Sequence, residues 1–123
     1  MMSDPRSQTK AALKVFFTAV SEWELTQAQA CKLLNISTKV YQQYKKGMTD
    51  STTEDLCSRL ARLTLIYGSL KTLYSEENIV LWLKNPSKKA SPWKGSSPLT
   101  IMVNDFSGIV MVHTYLRQRI GDI

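Results

Sequence analysis

The sequence predicts an all-α fold: two short helices around a tight turn near the N-terminal end, then a small C-terminal helical bundle. Two observations carry that expectation. Apolar residues recur at spacings of three and four along most of the chain. No stretch alternates apolar and polar residues between hairpin turns, so strand signals are absent. Capping residues, glycines and prolines then cut the pattern into helices of ordinary length.

Residues 8–20 place Leu13, Phe16, Phe17 and Val20 on one helical face. A second helix is expected over 26–34. Thr26 suits its N-cap, and Gln29 three residues later completes a capping box. Asn35-Ile36-Ser37 breaks the pattern, and Ser37 caps a third helix that Gly47 stops. Residues 48–52 read as a polar link. A longer helix follows, capped by Ser51 with Glu54 or by Thr52 with Asp55. It carries Leu56, Leu60, Leu63, Tyr67, Leu70 and Tyr74. Ser75-Glu76-Glu77 is a fresh start, since acids in a first turn oppose the helix dipole. That helix holds Ile79, Val80, Trp82 and Leu83. Three prolines and a glycine make residues 84–98 irregular. Ser97-Pro98 then reads as an N-cap with proline at the first helical position, opening a short helix over Leu99–Val103. Asn104-Asp105 caps the last helix, where Ile109, Val112 and Leu116 form a stripe.

The chain has 123 residues, enough for one domain or for two small helical units sharing a core. Hydrophobic residues make up 43% and charged residues 21%, a composition that buries a core. No apolar run has the length of a bilayer span, and Met1–Arg6 lacks the apolar stretch of a secretory signal. A cytoplasmic protein with no membrane partner is expected. The two cysteines, Cys31 and Cys57, lie in apolar helical patterns and are expected in the core. With His113 as the only histidine, no metal-ligand spacing exists, and no glycine-rich phosphate loop is visible. Neither an enzyme nor a cofactor is expected. The net charge of +6 is compatible with DNA.

The most informative local signal is Leu25–Gly47, LTQAQACKLLNISTKVYQQYKKG. A helix-turn-helix needs a small residue mid-way along its first helix, where the second packs close, and Ala30 supplies it. Its turn needs a residue tolerant of left-handed angles, an apolar plug and a cap; Asn35, Ile36 and Ser37 follow that order. Tyr41 and Tyr44 are expected to pack inward. Thr38, Lys39, Gln42 and Gln43 then point outward, where glutamine reads adenine edges and lysine reaches guanine or phosphate. Gln27, at the start of the first helix, is placed to meet a phosphate. Lys45 and Lys46 extend the basic edge.

The remaining residues carry, in order, Arg59-Leu60-Ala61-Arg62-Leu63, Trp82-Leu83-Lys84-Asn85-Pro86, Gly95-Ser96-Ser97-Pro98-Leu99, Asp105-Phe106-Ser107-Gly108, and finally Val112, Leu116 and Gly121. This string resembles the antitoxins whose C-terminal region is the Xre/MbcA/ParS toxin-binding domain. The likeness spans roughly residues 55–123, and the helix-turn-helix before it resembles the Xre part. Pro86-Ser87 stands where that family commonly has Pro-Asn, and the loop Ser87–Lys94 is lysine-rich. The resemblance implies an N-terminal helix-turn-helix DNA-binding region over 8–50 and a helical toxin-binding domain over 51–123. It implies an antitoxin that neutralises a RES-domain toxin, which consumes NAD or uses it for ADP-ribosylation. It also implies a homodimer that binds operator DNA and acts as transcription repressor of its own operon. The last helix and its tail, with Tyr115, Arg117, Arg119, Asp122 and Ile123, are the expected toxin contact, because arginine and tyrosine are favoured interface anchors. Two other readings fit the same residues: a stand-alone helix-turn-helix transcriptional regulator with a helical dimerisation domain, and a toxin-binding protein without DNA function.

Overall fold

The computed structural model describes residues 5–49, 52–86 and 92–121. Among these it contains seven helices and no strand: α1 (Pro5–Glu22), α2 (Gln27–Leu34), α3 (Thr38–Lys45), α4 (Glu54–Leu73), α5 (Glu76–Lys84), α6 (Pro98–Asn104) and α7 (Phe106–Gly121). The all-α expectation holds.

The first three helices end by one device. After α1, Glu24 takes a left-handed φ of 54°, and the Leu25 amide donates back to the Val20 carbonyl at 3.0 Å. After α2, Asn35 takes φ 56°, and the Ile36 amide donates to Cys31 at 3.0 Å. After α3, Gly47 takes φ 89°, and the Met48 amide donates to Gln43 at 2.9 Å. In each case one residue turns left-handed and an apolar residue follows it. The helix starts are as local. Thr26 accepts from the Gln29 amide at 3.1 Å, while its own amide donates to Gln29 Oε1 at 3.0 Å, closing the capping box. Ser37 accepts from the Val40 amide, and Ser97 from Thr100.

Two expectations about α4 change. Its cap is Thr53, which accepts from the Leu56 amide at 3.1 Å, so the Thr52–Asp55 box is not used; Ser51 lies outside the described residues. Cys57 is exposed, unlike the buried Cys31. The buried stripe of α4 is Leu56, Leu60, Leu63, Ile66 and Leu70. Cys57 lies about 100° round the helix from Leu56, against the flank of α1 with its Sγ 3.8 Å from Thr9 Oγ1.

α1 and α4 lie side by side and run the same way. Thr9 meets Cys57 near their starts, and Glu22 meets Tyr67 and Lys71 near their ends. The Tyr67 hydroxyl donates to Glu22 Oε1 at 2.9 Å, and Lys71 Nζ lies 3.6 Å from the same oxygen. α4 packs most extensively on α7, and α6 sits among α2, α5 and α7. One apolar cluster therefore runs through the whole chain, from Leu13 and Trp23 through Leu33 and Tyr41 to Met102, Ile109 and Leu116.

Two devices tie the helices together. Arg59 on α4 is only 8% exposed. Its Nε donates to Asp55 Oδ2 at 3.0 Å, its Nη1 donates to the Leu33 carbonyl at 3.3 Å, and its guanidinium lies over the Phe106 ring at 5.4 Å. It thus satisfies a carbonyl at the end of α2, which lacks an intrahelical partner, and stacks on the first residue of α7. The second device is a close approach. Gly108 is buried in the first turn of α7, and a Cβ there would land on the backbone carbonyl of Ile101 in α6. Its amide donates to Asp105 Oδ1 at 3.0 Å. The Ser107 hydroxyl first, and then that bond, hold the Asp105 carboxyl below its usual range.

Candidate nucleic-acid interface and partner surface

α2 and α3 are eight residues each, joined through Asn35, Ile36 and Ser37. Ala30 is fully buried at the middle of α2, so no side chain holds α3 off. Tyr41 and Tyr44 face inward. Tyr41 meets Phe17 of α1 edge-on, with ring centroids 5.4 Å apart. Burial pushes both phenols above their ordinary pKa, so they stay neutral packing groups.

The opposite side of α3 is open. Thr38, Lys39, Lys45 and Lys46 are exposed, and Gln42 and Gln43 are half-buried. Lys39, Gln42, Gln43 and Lys46 fall at helical neighbour spacings and share one face. Gln42 Nε2 donates to Gln27 Oε1 at 2.8 Å. This bond joins the middle of α3 to the first residue of α2, beside amides that have no intrahelical partner. The bond uses one donor of Gln42 and the oxygen of Gln27, so Gln42 Oε1 and the Gln27 amide nitrogen are not engaged in it. Lys45 Nζ lies 5.9 Å from the Tyr41 ring centroid and remains at the surface. Thr38 also contacts Cys31: burial raises the Cys31 thiol pKa, and a hydrogen bond with Thr38 partly offsets it. From Leu25 to Thr49 the chain has four lysines and no acidic residue. The expected reading face is thus brought together as one surface.

The expected partner surface is only partly gathered. Tyr115 is half-buried, stacked on Trp82 at 6.1 Å and edge-on to Trp93 at 5.2 Å. Trp82 also stacks on Tyr74, the residue that caps the end of α4, at 5.9 Å, so four aromatic rings from that cap, α5, α7 and the loop before α6 form one cluster. Arg117 and Arg119 are exposed, but two residues apart they leave α7 on opposite sides. The Arg119 charge acts on Tyr74, and the Arg117 charge acts on His113. Asp122 and Ile123 lie outside the described residues. The sequence reading missed this cluster, because its rings come from segments far apart in the chain.

His113 is 5% exposed, between α4 and α7. Its Nδ1 lies 3.2 Å from Arg62 Nη1. Arginine only donates, so Nδ1 accepts and the ring proton sits on Nε2. Burial first, then the Arg62 and Arg117 charges, hold the imidazole below its ordinary pKa. Among the described residues no three acidic, cysteine or histidine side chains are grouped to hold a metal ion, and no helix is long and apolar enough to cross a membrane.

No protein-family model matches this chain, and no curated protein matches it.

Proposed function

We propose that the chain is the antitoxin of a type II toxin–antitoxin pair, acting in the cytoplasm. In this reading it binds and neutralises a RES-domain toxin and, as a homodimer, represses its own operon. α3 enters the major groove with Thr38, Lys39, Gln42 and Gln43 toward the bases, while Gln27, Lys45 and Lys46 meet phosphates. The observation that carries it is the outward face of α3 held by the Gln27–Gln42 bond over an acid-free, lysine-bearing surface. Two such helices in a dimer, one DNA turn apart, suit a palindromic operator. The toxin-binding half rests on the ordered likeness of residues 55–123 to the Xre/MbcA/ParS domain, with Tyr115, Arg117, Arg119 and the tail as contact. Many of the shared residues build the packing itself, among them Leu83, Leu99, Gly108, Val112 and Leu116, all buried.

The test has two arms. Binding to a fragment of the chain's own promoter is measured for the native protein and for the Lys39→Ala, Gln42→Ala, Gln43→Ala triple variant. Preference for the promoter over random DNA is expected in the first and lost in the second. Co-expression with the neighbouring open reading frame should yield a complex and protect growth, and removal of Ile120–Ile123 should abolish protection while leaving promoter binding intact. Promoter binding without any captured toxin supports the stand-alone regulator instead.

A further inference from the structure

We infer that the nucleic-acid surface extends beyond α2 and α3 onto α1, where Lys10 and Lys14 join Lys45 in holding the sugar–phosphate backbone beside the bases that α3 reads. The inference rests on the DNA-binding reading above and deepens it. Its basis is a groove of about 460 Å³ between α1 and the end of α3, bordered by Lys10, Ala11, Lys14, Phe17, Lys45 and Gly47. Lys10 and Lys14 are four residues apart and so share one face of α1, and all three lysines are exposed. No carboxylate among the described residues lines the groove. Three ammonium groups around one depression repel each other unless an anion lies among them.

The chemistry of the walls selects the kind of anion. A small anion held specifically needs converging backbone amides or an arginine fork. Here the Lys46, Gly47 and Met48 amides donate to carbonyls of α3, and no arginine lines the groove. An apolar helix is equally unsuited, because the floor is already closed: Leu13 is 3% and Tyr44 5% exposed. What remains is a polyanion that takes flexible point charges along its length. The groove is also in the right place. Lys45 flanks the face formed by Lys39, Gln42 and Gln43, so a duplex whose major groove admits α3 carries a strand past it. At Gly47 a Cβ would meet nothing within 4 Å, which leaves that end open for the strand to pass.

The test is the salt dependence of binding to the promoter fragment, for the native protein and for Lys10→Gln/Lys14→Gln, with circular dichroism confirming equal folding. Each phosphate contact contributes about 0.9 to the slope of log affinity against log salt, so the double variant, which loses two contacts from each protomer of the dimer, should have a slope shallower by about 3.6. Between 50 and 200 mM salt the native protein should then lose about 150-fold more affinity than the variant. The preference for promoter over random DNA should stay unchanged, and ethylation interference should reveal phosphates needed by the native protein alone. An unchanged slope with intact promoter preference overturns the role of α1 and leaves the function standing. A native protein that shows no promoter preference overturns both.

Discussion

Replacing Gly108 with alanine probes the packing on which the C-terminal half depends. Gly108 is buried in α7, and the added methyl carbon would occupy the space of the Ile101 carbonyl group and its Cγ2. Backbone cannot swing aside as a flexible side chain can, so α6 must retreat from α7 and draw the buried Leu99 and Met102 with it. Overpacking of this kind costs about 1–3 kcal/mol and sometimes more. The helix propensity of alanine returns about 1 kcal/mol at most. Because the obstacle is main chain, the cost falls at or above the top of the first range, leaving a net loss of about 2–3 kcal/mol. For 123 residues, an unfolding entropy of about 2.1 cal/mol/K per residue converts 2.5 kcal/mol into a fall in Tm of about 10 °C. Thermal and urea unfolding of the two proteins under the same buffer give the comparison. A variant as stable as the native protein, or more stable, would refute the claimed backbone approach.

Other perturbations follow from the same contacts. Glu24→Gly relieves a non-glycine residue of its left-handed φ of 54°, keeps the Lys84 bond to the residue-24 carbonyl, and should raise stability by about 1 kcal/mol in urea unfolding; a lowered midpoint contradicts the strain. Arg59→Ala removes the Leu33 carbonyl contact and the stacking on Phe106, and should cost about 3 kcal/mol, with Arg59→Lys recovering less than half because it lacks the fork. For His113 the folded-state pKa lies below the ordinary 6.5, so the folded chain binds fewer protons than the unfolded one. Its contribution is complete above about pH 6.5 and declines as pH falls toward the folded value. His113→Gln, whose amide oxygen still accepts from Arg62, should flatten the fall in urea midpoint between pH 7.5 and 5.5; an equal fall in both proteins contradicts this account.

Local chemistry was legible in the sequence, and long-range chemistry was not. The Thr26–Gln29 box, the left-handed Asn35 and the Ser97-Pro98 start each depend on residues within a few positions, and each is present as read. The outward set on α3 followed from the inward pair Tyr41 and Tyr44. Cys57 misled because a position one residue from a buried leucine looks apolar in a linear pattern, yet points sideways on a helix. Arg59 and Trp23 gave no local signal of burial: the first is paid for by a carbonyl twenty-six residues earlier, the second packs on Tyr67 of a different helix. Tyr115 read as a free anchor because its ring partners, Trp82 and Trp93, lie far from it along the chain.

The three-way grip of Arg59, on the end of α2 and the start of α7 from within α4, has a consequence for turnover. A chain whose front and rear portions lean on one shared interior has no sturdy remnant to leave behind. A cut in either portion is therefore expected to remove the support of the other in the same event.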